Sequence, residues 1–321
     1  MGSRPAPAGI AIVGPTATGK SALALEVARR LPVEIISVDS RQVYRGLDVG
    51  TAKPRAEDRR RVPHHGLDLV DPDQRYSAGR FARDARRWIA DIRARGRVPL
   101  LVGGTGFFLR ALTDPLFREP TLAPGRRRSL RAYLEALPRA RRLRWLRALD
   151  PEAAARLEPG GGAQREARAL EVALLSGRPL TQWHALGPAA KAVDLLVFAL
   201  DVDPARLAAR IEARLDAMIA NGLLEEVRSL AERYGTRAPA FRTSGYGEFV
   251  PWLEGTRSVE EATRVARTNT RRLARRQRTW FRHQLPASAR RLDGERSASS
   301  LAESIASAWG DVAGPPGEAT G

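Results

Sequence analysis

The sequence contains no cysteine, and this absence removes several classes of protein at once. A chain without thiols has neither a disulfide scaffold nor a zinc site built on cysteine ligands. Long apolar runs are also missing, since no stretch approaches the roughly eighteen residues that a membrane-spanning helix needs. Residues 1–9 are polar and rich in proline, and the apolar run after them is shorter than the core of a signal peptide. We therefore expect a cytoplasmic protein without a membrane segment.

Acidic residues are too few to balance the basic ones. The chain has 36 Asp and Glu against 54 Lys and Arg, which gives a formal net charge of +18. Such an excess favours a polyanionic partner such as a nucleic acid. Ala, Arg, Gly and Pro are all abundant, as in a GC-rich coding background, and many arginines can simply be solvated. The placement of the arginines is therefore more informative than their number.

Lysine is rare among the basic residues, and one of its few positions carries a phosphate-binding motif. Lys20 belongs to Gly14-Pro-Thr-Ala-Thr-Gly-Lys-Ser21, which matches the pattern G-x-x-x-x-G-K-[ST]. An apolar run (residues 10–13) precedes the motif, and an Ala- and Leu-rich helical stretch (residues 21–31) follows it. Backbone N–H groups and the start of the helix then face phosphate oxygens, Lys20 supplies a point charge, and the Ser21 hydroxyl suits Mg²⁺. The predicted phosphate-binding residues are Gly14, Pro15, Thr16, Ala17, Thr18, Gly19, Lys20 and Ser21.

Further strand signals place polar residues at the same edge of a sheet. Residues 34–40 read as a strand that ends in Asp39-Ser40, and residues 98–102 read as a buried strand before Gly103-Gly-Thr105-Gly106. In a parallel α/β sheet, ligands bind at the carboxyl ends of the strands. Asp39 and Thr105 are therefore expected to face the phosphate loop. The alternative for Asp39 is a cap of the following turn.

A metal site is a weaker interpretation of Pro63-His64-His65 with Asp68 and Asp71. The spacing does not place these side chains on one helical face, and no third cluster supports them. We therefore favour packing of a loop at His64 and His65.

Between residues 120 and 188 the strand signals vanish and arginine-rich amphipathic helices replace them. Helices are expected at about 125–136, 139–149, 151–157 and 164–176, and strand character returns at 194–200. The predicted fold is α/β, a parallel P-loop sheet flanked by helices, with an all-helical insertion. The predicted domains are a first part of the core (1–119), the insertion (120–188), a second part of the core (189–312) and a disordered tail (313–321).

One long helix is predicted from Ser258 to about Gln284. Within it Arg271, Arg275, Arg278 and Arg282 recur at spacings of four, three and four and form one basic stripe. A stripe can follow a phosphate backbone, whereas scattered charges cannot. The alternative is a solvated helix face.

Taken together, these motifs resemble the tRNA dimethylallyltransferase (isopentenyl-tRNA transferase) family. The resemblance spans roughly residues 10–285, and its most specific part runs from Asp39-Ser40 through Tyr44 to Gly50-Thr-Ala-Lys-Pro54. The other matching stretches are Gly14–Ser21, Asp71–Ser77, Pro99–Thr105, Asp150-Pro151, Arg168–Glu171, Ser176-Gly177, Gly245-Tyr246 and Arg275–Arg282.

The resemblance implies transfer of a dimethylallyl group from dimethylallyl diphosphate to the exocyclic amine of the adenosine 3′ to the tRNA anticodon. Asp39 would be the general base, Thr105 and Lys20 further catalytic residues, and Arg214 would lie near the diphosphate. Mg²⁺ is the expected cofactor, and the partner is the anticodon stem-loop of tRNA. We expect a monomer. The residues expected to contact tRNA are Asp39, Ser40, Arg41, Gln42, Thr105, Arg127, Gln164, Arg165, Glu166, Ala167, Arg168, Arg271, Arg275 and Arg278.

The sequence departs from the family pattern at a few positions. Phe108 and Leu273 stand where the family often has tyrosine, and Gly160-Gly-Gly162 replaces the usual Asn-Asp, which puts the RNA contacts at 160–168 in doubt.

Two rival functions remain open because a phosphate loop also binds ATP. They are a small-molecule kinase and a nucleic-acid-binding NTPase. A small-molecule kinase needs neither the long basic helix nor the helical insertion. The sequence also shows no clear apolar strand ending in Asp-Glu for Mg²⁺, which weakens both rivals.

Overall fold

A computed structural model of the chain describes residues 6–115, 124–187 and 190–313. The chain divides into two compact units, one made of residues 1–113 with 193–321 and the other of residues 114–192. The first unit holds the sheet, and the described part of the second is helical. Residues 120–123 and 188 of the predicted insertion, and residues 314–321 of the predicted tail, lie outside the described residues.

The described residues form six strands and fourteen α-helices, numbered in chain order. The strands are β1 (Ile10–Val13), β2 (Val33–Ser37), β3 (His64–His65), β4 (Val98–Gly103), β5 (Leu196–Asp201) and β6 (Arg290–Asp293). The helices are α1 (Lys20–Ala28), α2 (Ala56–Arg61), α3 (Ala78–Ala94), α4 (Gly106–Thr113), α5 (Pro124–Ala136), α6 (Arg139–Leu149), α7 (Pro151–Leu157), α8 (Ala163–Ser176), α9 (Leu180–Ala185), α10 (Pro204–Ala220), α11 (Leu223–Tyr234), α12 (Val250–Leu253), α13 (Val259–Gln284) and α14 (Ala298–Ala313).

The six strands form one parallel sheet in the order β3-β2-β4-β1-β5-β6. The central strand β1 is entirely buried and pairs with β4 on one side and β5 on the other. Strands that are covered on both faces need continuous apolar runs, as in Ile-Ala-Ile-Val of β1. The prediction of a parallel α/β sheet flanked by helices is confirmed, and the carboxyl ends of β1, β2 and β4 meet at one edge.

The short and polar elements of this unit escaped prediction. His64 and His65, expected in a loop, form a two-residue strand that pairs with Ile35 and Ile36 of β2. The strand β6 is Arg-Arg-Leu-Asp at the edge of the sheet, where one side chain of four is half-buried and no apolar alternation develops. The long helix, by contrast, begins where the sequence indicates, because Ser258 and Glu261 form a reciprocal capping box.

The second unit is a small bundle of α5 to α9 around its own core. Leu134, Leu146 and Leu170 are buried in this core together with alanines of α7 and α8. Asp150 caps α7 by accepting from the N–H of Ala153 at 3.1 Å, and it also accepts from the hydroxyl of Thr181 at 2.8 Å. The helices predicted from periodicity between 125 and 176 agree with the observed bounds to within one residue. An all-helical insertion is therefore the correct description of its described residues.

Candidate active site

The phosphate loop leaves the end of β1 and enters α1 at Lys20. Two glycines bound it because the backbone requires them: Gly14 has φ of 151° and Gly19 has φ of 90°. A Cβ on Gly14 would also lie 2.6 Å from the carbonyl oxygen of Leu200 in β5. The loop is thus pressed against the neighbouring strand and directs its first turn of N–H groups into the cavity at the edge of the sheet.

Lys20 lies over this loop, where burial makes its charge costly. Its Nζ donates to the carbonyl oxygen of Pro15 and, at 3.4 Å, to the hydroxyl of Thr18. Burial and the nearby guanidinium of Arg214 lower the pKa of Lys20 to about 7, although the carboxylate of Asp39 acts in the opposite direction. A bound anion would therefore stabilise the ammonium form.

Asp39 combines both interpretations that the sequence allows. Its Oδ1 accepts a hydrogen bond from the backbone N–H of Arg41 at 2.9 Å, so the side chain does cap the turn after β2. It also lines the same cavity as Lys20, Ser21 and Arg214. The cap fixes the orientation of the carboxylate, and the cavity gives it access to a ligand.

Thr105 belongs to the loop after β4 and is joined to the turn that carries Asp39. Its Oγ1 accepts from the N–H of Ser40 at 3.0 Å, and its own N–H donates to the carbonyl of Val38 at 3.0 Å. A Cβ on Gly103 would lie 2.1 Å from the carbonyl oxygen of Val38, so glycine permits this approach of the two strand ends. Thr105 therefore holds the turn of Asp39 in place.

The neighbours of Asp39 in the turn make different contacts. Arg41 donates from Nη1 to the carbonyl of Ser244 at 2.8 Å. Gln42 accepts from the hydroxyl of Ser37 at 2.8 Å and donates to the carbonyl of Thr51 at 3.3 Å. Gln42 thus supports the loop at 51–52 on the phosphate side of the cavity, and Ser40 and Arg41 line a second cavity beyond Asp39.

Arg214 of α10 reaches the phosphate loop from the side of β5. Its Nη1 donates to the hydroxyl of Thr16 and its Nη2 to the carbonyl of Thr51, both at 3.3 Å. Burial lowers the pKa of Arg214, and Asp39 opposes this shift. Arginine stays charged in proteins, so Arg214 and the ammonium form of Lys20 together face the single carboxylate of Asp39.

Glu226 and Tyr246, for which the sequence predicts no role, hold the loop at 48–54. Glu226 accepts from three successive backbone N–H groups, at 2.9 Å from Asp48, 2.8 Å from Val49 and 3.1 Å from Gly50. Tyr246 donates its hydroxyl to the same carboxylate at 2.6 Å. A Cβ on Gly50 would lie 2.6 Å from the Tyr246 ring, so this position requires glycine. The glycine at position 50 is thus the one sequence feature that indicates close packing against this loop.

Lys53 shows why lysine rather than arginine occupies a second position in an arginine-rich chain. Its buried ammonium contacts three oxygens, the carbonyl of Tyr44 at 2.8 Å and carboxylates of Asp48 at 2.5 Å and Asp68 at 2.7 Å. Three donors on a compact group match three acceptors, which a planar guanidinium would not. Lys53 is therefore a structural centre of the loop that borders the cavity.

Two cavities meet at Asp39. The first extends along the phosphate loop and α1, and the second opens towards α4 and α13. Residues that line both are Thr16, Asp39, Thr51, Gly104, Arg214 and Gln277. Aromatic side chains border the second cavity, and Phe107 exposes 55% of its surface there. Trp280 packs so closely on Gly106 that a Cβ would lie 2.3 Å from its ring. The first cavity therefore suits a phosphorylated ligand, and the second suits a planar one.

A metal ion has few protein ligands available here. Within residues 6–115, 124–187 and 190–313, no three His, Cys, Asp or Glu side chains are grouped as a metal site. His65 instead lies 2.7 Å from Oε2 of Glu34, which also binds Arg95. The Ser21 hydroxyl is exposed to the first cavity, and one protein oxygen is sufficient for Mg²⁺ that is held mainly by phosphate oxygens and water. The donor set therefore fits Mg²⁺ bound together with a diphosphate.

The basic stripe on α13 is only partly available to a ligand. Arg278 forms two hydrogen bonds with Asp201, and Arg271 forms an ion pair with Glu212. Arg275 and Arg282 are exposed. The sequence places all four on one face correctly, but it does not show that two of them meet acidic residues of the same unit.

The residues of the insertion expected to contact tRNA differ in accessibility. Glu166 and Ala167 are fully buried, and Glu166 binds Arg139 and Arg142 at 2.9 Å each. Arg127 and Arg168 both bind the buried carboxylate of Glu171. Gln164 and Arg165 are exposed at the start of α8. Glu166 and Ala167 are therefore too buried to offer a side-chain surface to RNA, and Gln164 and Arg165 are the accessible positions of the two pairs.

No helix in the described part of the chain has the length and apolarity to cross a membrane.

Models of known families match most of the chain. The model described as IPP transferase matches residues 42–284, and one described as isopentenyl transferase matches residues 9–64. A tRNA dimethylallyltransferase of Geobacter metallireducens is 48% identical over 277 residues, which cover 85% of this chain and 89% of the relative. One from Xanthomonas oryzae pv. oryzae is 45% identical over 315 residues, with 95% of each chain covered.

Solved structures agree with this similarity. The tRNA isopentenylpyrophosphate transferase of Bacillus halodurans has a TM-score of 0.67 at 34% identity, covering 95% of this chain and 97% of that one. A eukaryotic dimethylallyltransferase, solved in the course of its action on tRNA, has a TM-score of 0.76 at 28% identity. That match covers 95% of this chain and 76% of the eukaryotic protein.

Proposed function

Since the chain belongs to the IPP transferase family, we propose that it transfers a dimethylallyl group from dimethylallyl diphosphate to tRNA. The acceptor is the exocyclic amine of the adenosine 3′ to the anticodon, and diphosphate is released. One observation carries the chemical part of the proposal: Asp39 borders both the cavity of the phosphate loop and the cavity beneath the aromatic side chains. A single carboxylate thus stands where the donor and the acceptor would meet.

The phosphate side of the site would stabilise the leaving group. An allylic diphosphate ionises readily once the negative charge that develops on the bridging oxygen is stabilised. Lys20, Arg214 and the N–H groups at the start of α1 supply preorganised positive potential at this point. Mg²⁺, held by the Ser21 hydroxyl and by the diphosphate, would neutralise part of the charge of the diphosphate when bound.

Asp39 would act on the other partner of the reaction. The adenine amine is a poor nucleophile because its lone pair is delocalised into the ring. As the new carbon–nitrogen bond forms and the carbon–oxygen bond breaks, the electron pair leaves with diphosphate and a carboxylate can accept the amine proton. The cap from the Arg41 N–H engages Oδ1 and orients the carboxylate for this proton transfer.

The second cavity would receive the adenine. A base stacked in the anticodon loop cannot reach Asp39, so it must be extruded from the stack. Phe107 and Trp280 border the cavity with aromatic faces, and Arg276 adds a guanidinium at its edge. Aromatic rings stack on a base regardless of hydrogen-bonding pattern. These side chains would therefore hold an extruded adenine while Thr105 keeps the turn of Asp39 in position.

The grip on the rest of the RNA would come from exposed basic residues. Arg275 and Arg282 on α13 and Arg165 on α8 are exposed, and phosphate contacts of this kind position a nucleic acid without reading its sequence. We also propose that the protein acts as a monomer, because the proposed chemistry needs residues of one chain only. The cytoplasmic location remains an expectation from the sequence.

The test is to offer both phosphate donors to the purified protein together with unmodified tRNA. We expect radiolabel from dimethylallyl diphosphate to enter tRNA, with diphosphate released in equal amount and ATP left intact. Transcripts with purine riboside at the target position, which lack the exocyclic amine, are the control and should accept no label. Consumption of ATP with phosphorylation of a small molecule would identify a kinase, and RNA-stimulated release of phosphate would identify an NTPase.

A further inference from the structure

Gln277 of α13 connects two loops of the active site through a single side chain. Its Oε1 accepts the backbone N–H of Thr16 in the phosphate loop at 2.9 Å. Its Nε2 donates to the carbonyl of Gly104, in the loop after β4, at 2.8 Å. The two loops follow neighbouring strands of the sheet, β1 and β4, and the glutamine bridges them at their carboxyl ends.

The bridge is specific for an amide. The Thr16 N–H needs an acceptor and the Gly104 carbonyl needs a donor, and these two partners also fix which end of the amide is oxygen. Glutamate would keep the first hydrogen bond and lose the second, and methionine of similar length would lose both. A Cβ on Gly104 would lie 2.7 Å from Nε2, so glycine keeps the space that the amide occupies.

Gln277 also stands at the boundary between the two cavities and lines both of them. On the same helix, Leu273, Arg276 and Trp280 line the second cavity, which would hold the acceptor, and do not line the first. Thr16, the partner of Gln277, binds Arg214 through its hydroxyl on the donor side. One helix therefore carries both the side chains at the acceptor cavity and the clamp on the phosphate loop.

We propose that Gln277 is a positioning residue that couples binding of the acceptor RNA to binding of the donor diphosphate. This inference rests on the proposed function. RNA held against Arg276 and Trp280 restrains α13, and the restrained helix holds the Thr16 N–H, and with it the phosphate loop, in the conformation that binds diphosphate. The donor then meets a loop that is already ordered, so each ligand increases the affinity for the other by the same factor.

The experiment measures this coupling without turnover. The probes are inorganic diphosphate with Mg²⁺ and an anticodon stem-loop RNA that carries purine riboside at the target position. The dissociation constant of diphosphate is measured by calorimetry with and without saturating RNA. For the wild-type protein we expect RNA to tighten diphosphate binding by a factor within the usual range of about 5 to 150. In Gln277→Met the factor should fall to about 1.

The matched control is Gln284→Met on the same helix. Gln284 is exposed about two turns beyond Gln277, and its Oε1 accepts from Arg110 at 3.4 Å. It touches neither cavity, so this variant should keep the wild-type coupling factor. Gln277→Glu retains the acceptor for Thr16 alone and should give an intermediate factor. It also serves as the test if the methionine variant fails to fold.

An equal coupling factor in the wild type and in the folded Gln277 variant would overturn the proposal, and so would a wild-type factor of 1. Prenyl transfer to an unmodified stem-loop is assayed on the same preparations. If the wild type transfers the prenyl group but its coupling factor equals that of the Gln277 variants, only the proposed coupling is wrong. If the wild type transfers nothing, the proposed function itself fails.

Discussion

The guanidinium of Arg278 is held by the carboxylate of Asp201, with Nε to Oδ1 at 2.8 Å and Nη2 to Oδ2 at 3.2 Å. Asp201 is the last residue of β5, so this paired contact fastens the long helix to the edge of the sheet that carries the active site. Partial burial of Asp201 raises its pKa, but the hydrogen bond and charge of Arg278 outweigh this and lower it. The charge of Arg278 is thus largely compensated within the protein.

The first prediction follows from this pairing and concerns the basic stripe. Changing Arg275 and Arg282 together to Gln should weaken tRNA binding about equally across tRNAs. The slope of log affinity against log salt should fall by roughly 1 to 2 units, because each phosphate contact contributes about 0.7–0.9. Arg278→Gln should leave the slope nearly unchanged, since its charge already meets Asp201. The measurement is the tRNA affinity of each variant over a series of salt concentrations. If the slope falls most in Arg278→Gln, then Arg278, and not Arg275 and Arg282, contacts the phosphates.

The second prediction separates the two functions of Asp39. Asparagine can still accept the N–H of Arg41, so Asp39→Asn should keep the turn, the melting temperature and the affinity for tRNA. It cannot accept a proton, and kcat should fall by about two orders of magnitude or more. Asp39→Ala, which removes the cap as well, should lose stability in addition. A turnover of Asp39→Asn near that of the wild type would leave Asp39 with only its structural role.

The third prediction concerns Lys20 and protons. Because its pKa is lowered to about 7, Lys20 is mostly neutral at pH about 8.5, and a bound diphosphate should raise that pKa and draw in a proton. Below pH about 6 the lysine is already charged, so the uptake should vanish. Calorimetry in buffers of different ionisation enthalpy measures the uptake. Lys20→Met corrects for protons taken up by the diphosphate itself and should remove the difference.

The fourth prediction, also at Lys20, separates the residues that bind the donor from those that bind the acceptor. Lys20 lies in the phosphate loop and not on the basic helix, so Lys20→Ala should weaken the use of the donor much more than the affinity for tRNA. Dissociation constants for both ligands, measured on one preparation, test this. Equal losses would show that Lys20 shapes the whole site instead of the donor end.

The fifth prediction concerns the stability of the helical insertion. Glu166 is fully buried, and although burial raises its pKa, the hydrogen bonds from Arg139 and Arg142 prevail and lower it. Its contribution is therefore present above its ordinary pKa and is lost as the pH falls through the lowered value. Glu166→Gln should destabilise α6 and α8 by about 1–3 kcal/mol at neutral pH, because two arginines lose their charged partner.

Hydrogen exchange of the amides of α8 at neutral pH and at pH about 3 measures this effect. The difference between the wild type and Glu166→Gln should shrink at the lower pH. The control is Glu158→Gln, whose pair with Arg147 is exposed and should change stability by less than about 0.5 kcal/mol. A deficit that persists at low pH would mean that packing, and not ionisation, holds Glu166.

Several features were accessible to sequence reasoning because they depend on local physics. The phosphate loop needs glycine at two positive φ angles and a helix directly after a buried strand, and both requirements are visible in a few consecutive residues. The helices of the insertion follow from apolar spacing, and Ser258 marks the start of α13 as its cap. The position of Asp39 follows from the rule that parallel strands present their carboxyl ends at one edge.

Contacts between distant residues could not be inferred in this way. The amide of Gln277 meets a backbone N–H 261 positions earlier in the chain, and Glu226 supports a loop more than 170 positions away. The pattern of the stripe shows which arginines share a face, but not that Arg278 meets Asp201 and Arg271 meets Glu212. Periodicity reports which way a side chain points relative to its own helix. Only the tertiary structure determines which residue that side chain contacts, because the path of the whole chain brings distant residues together.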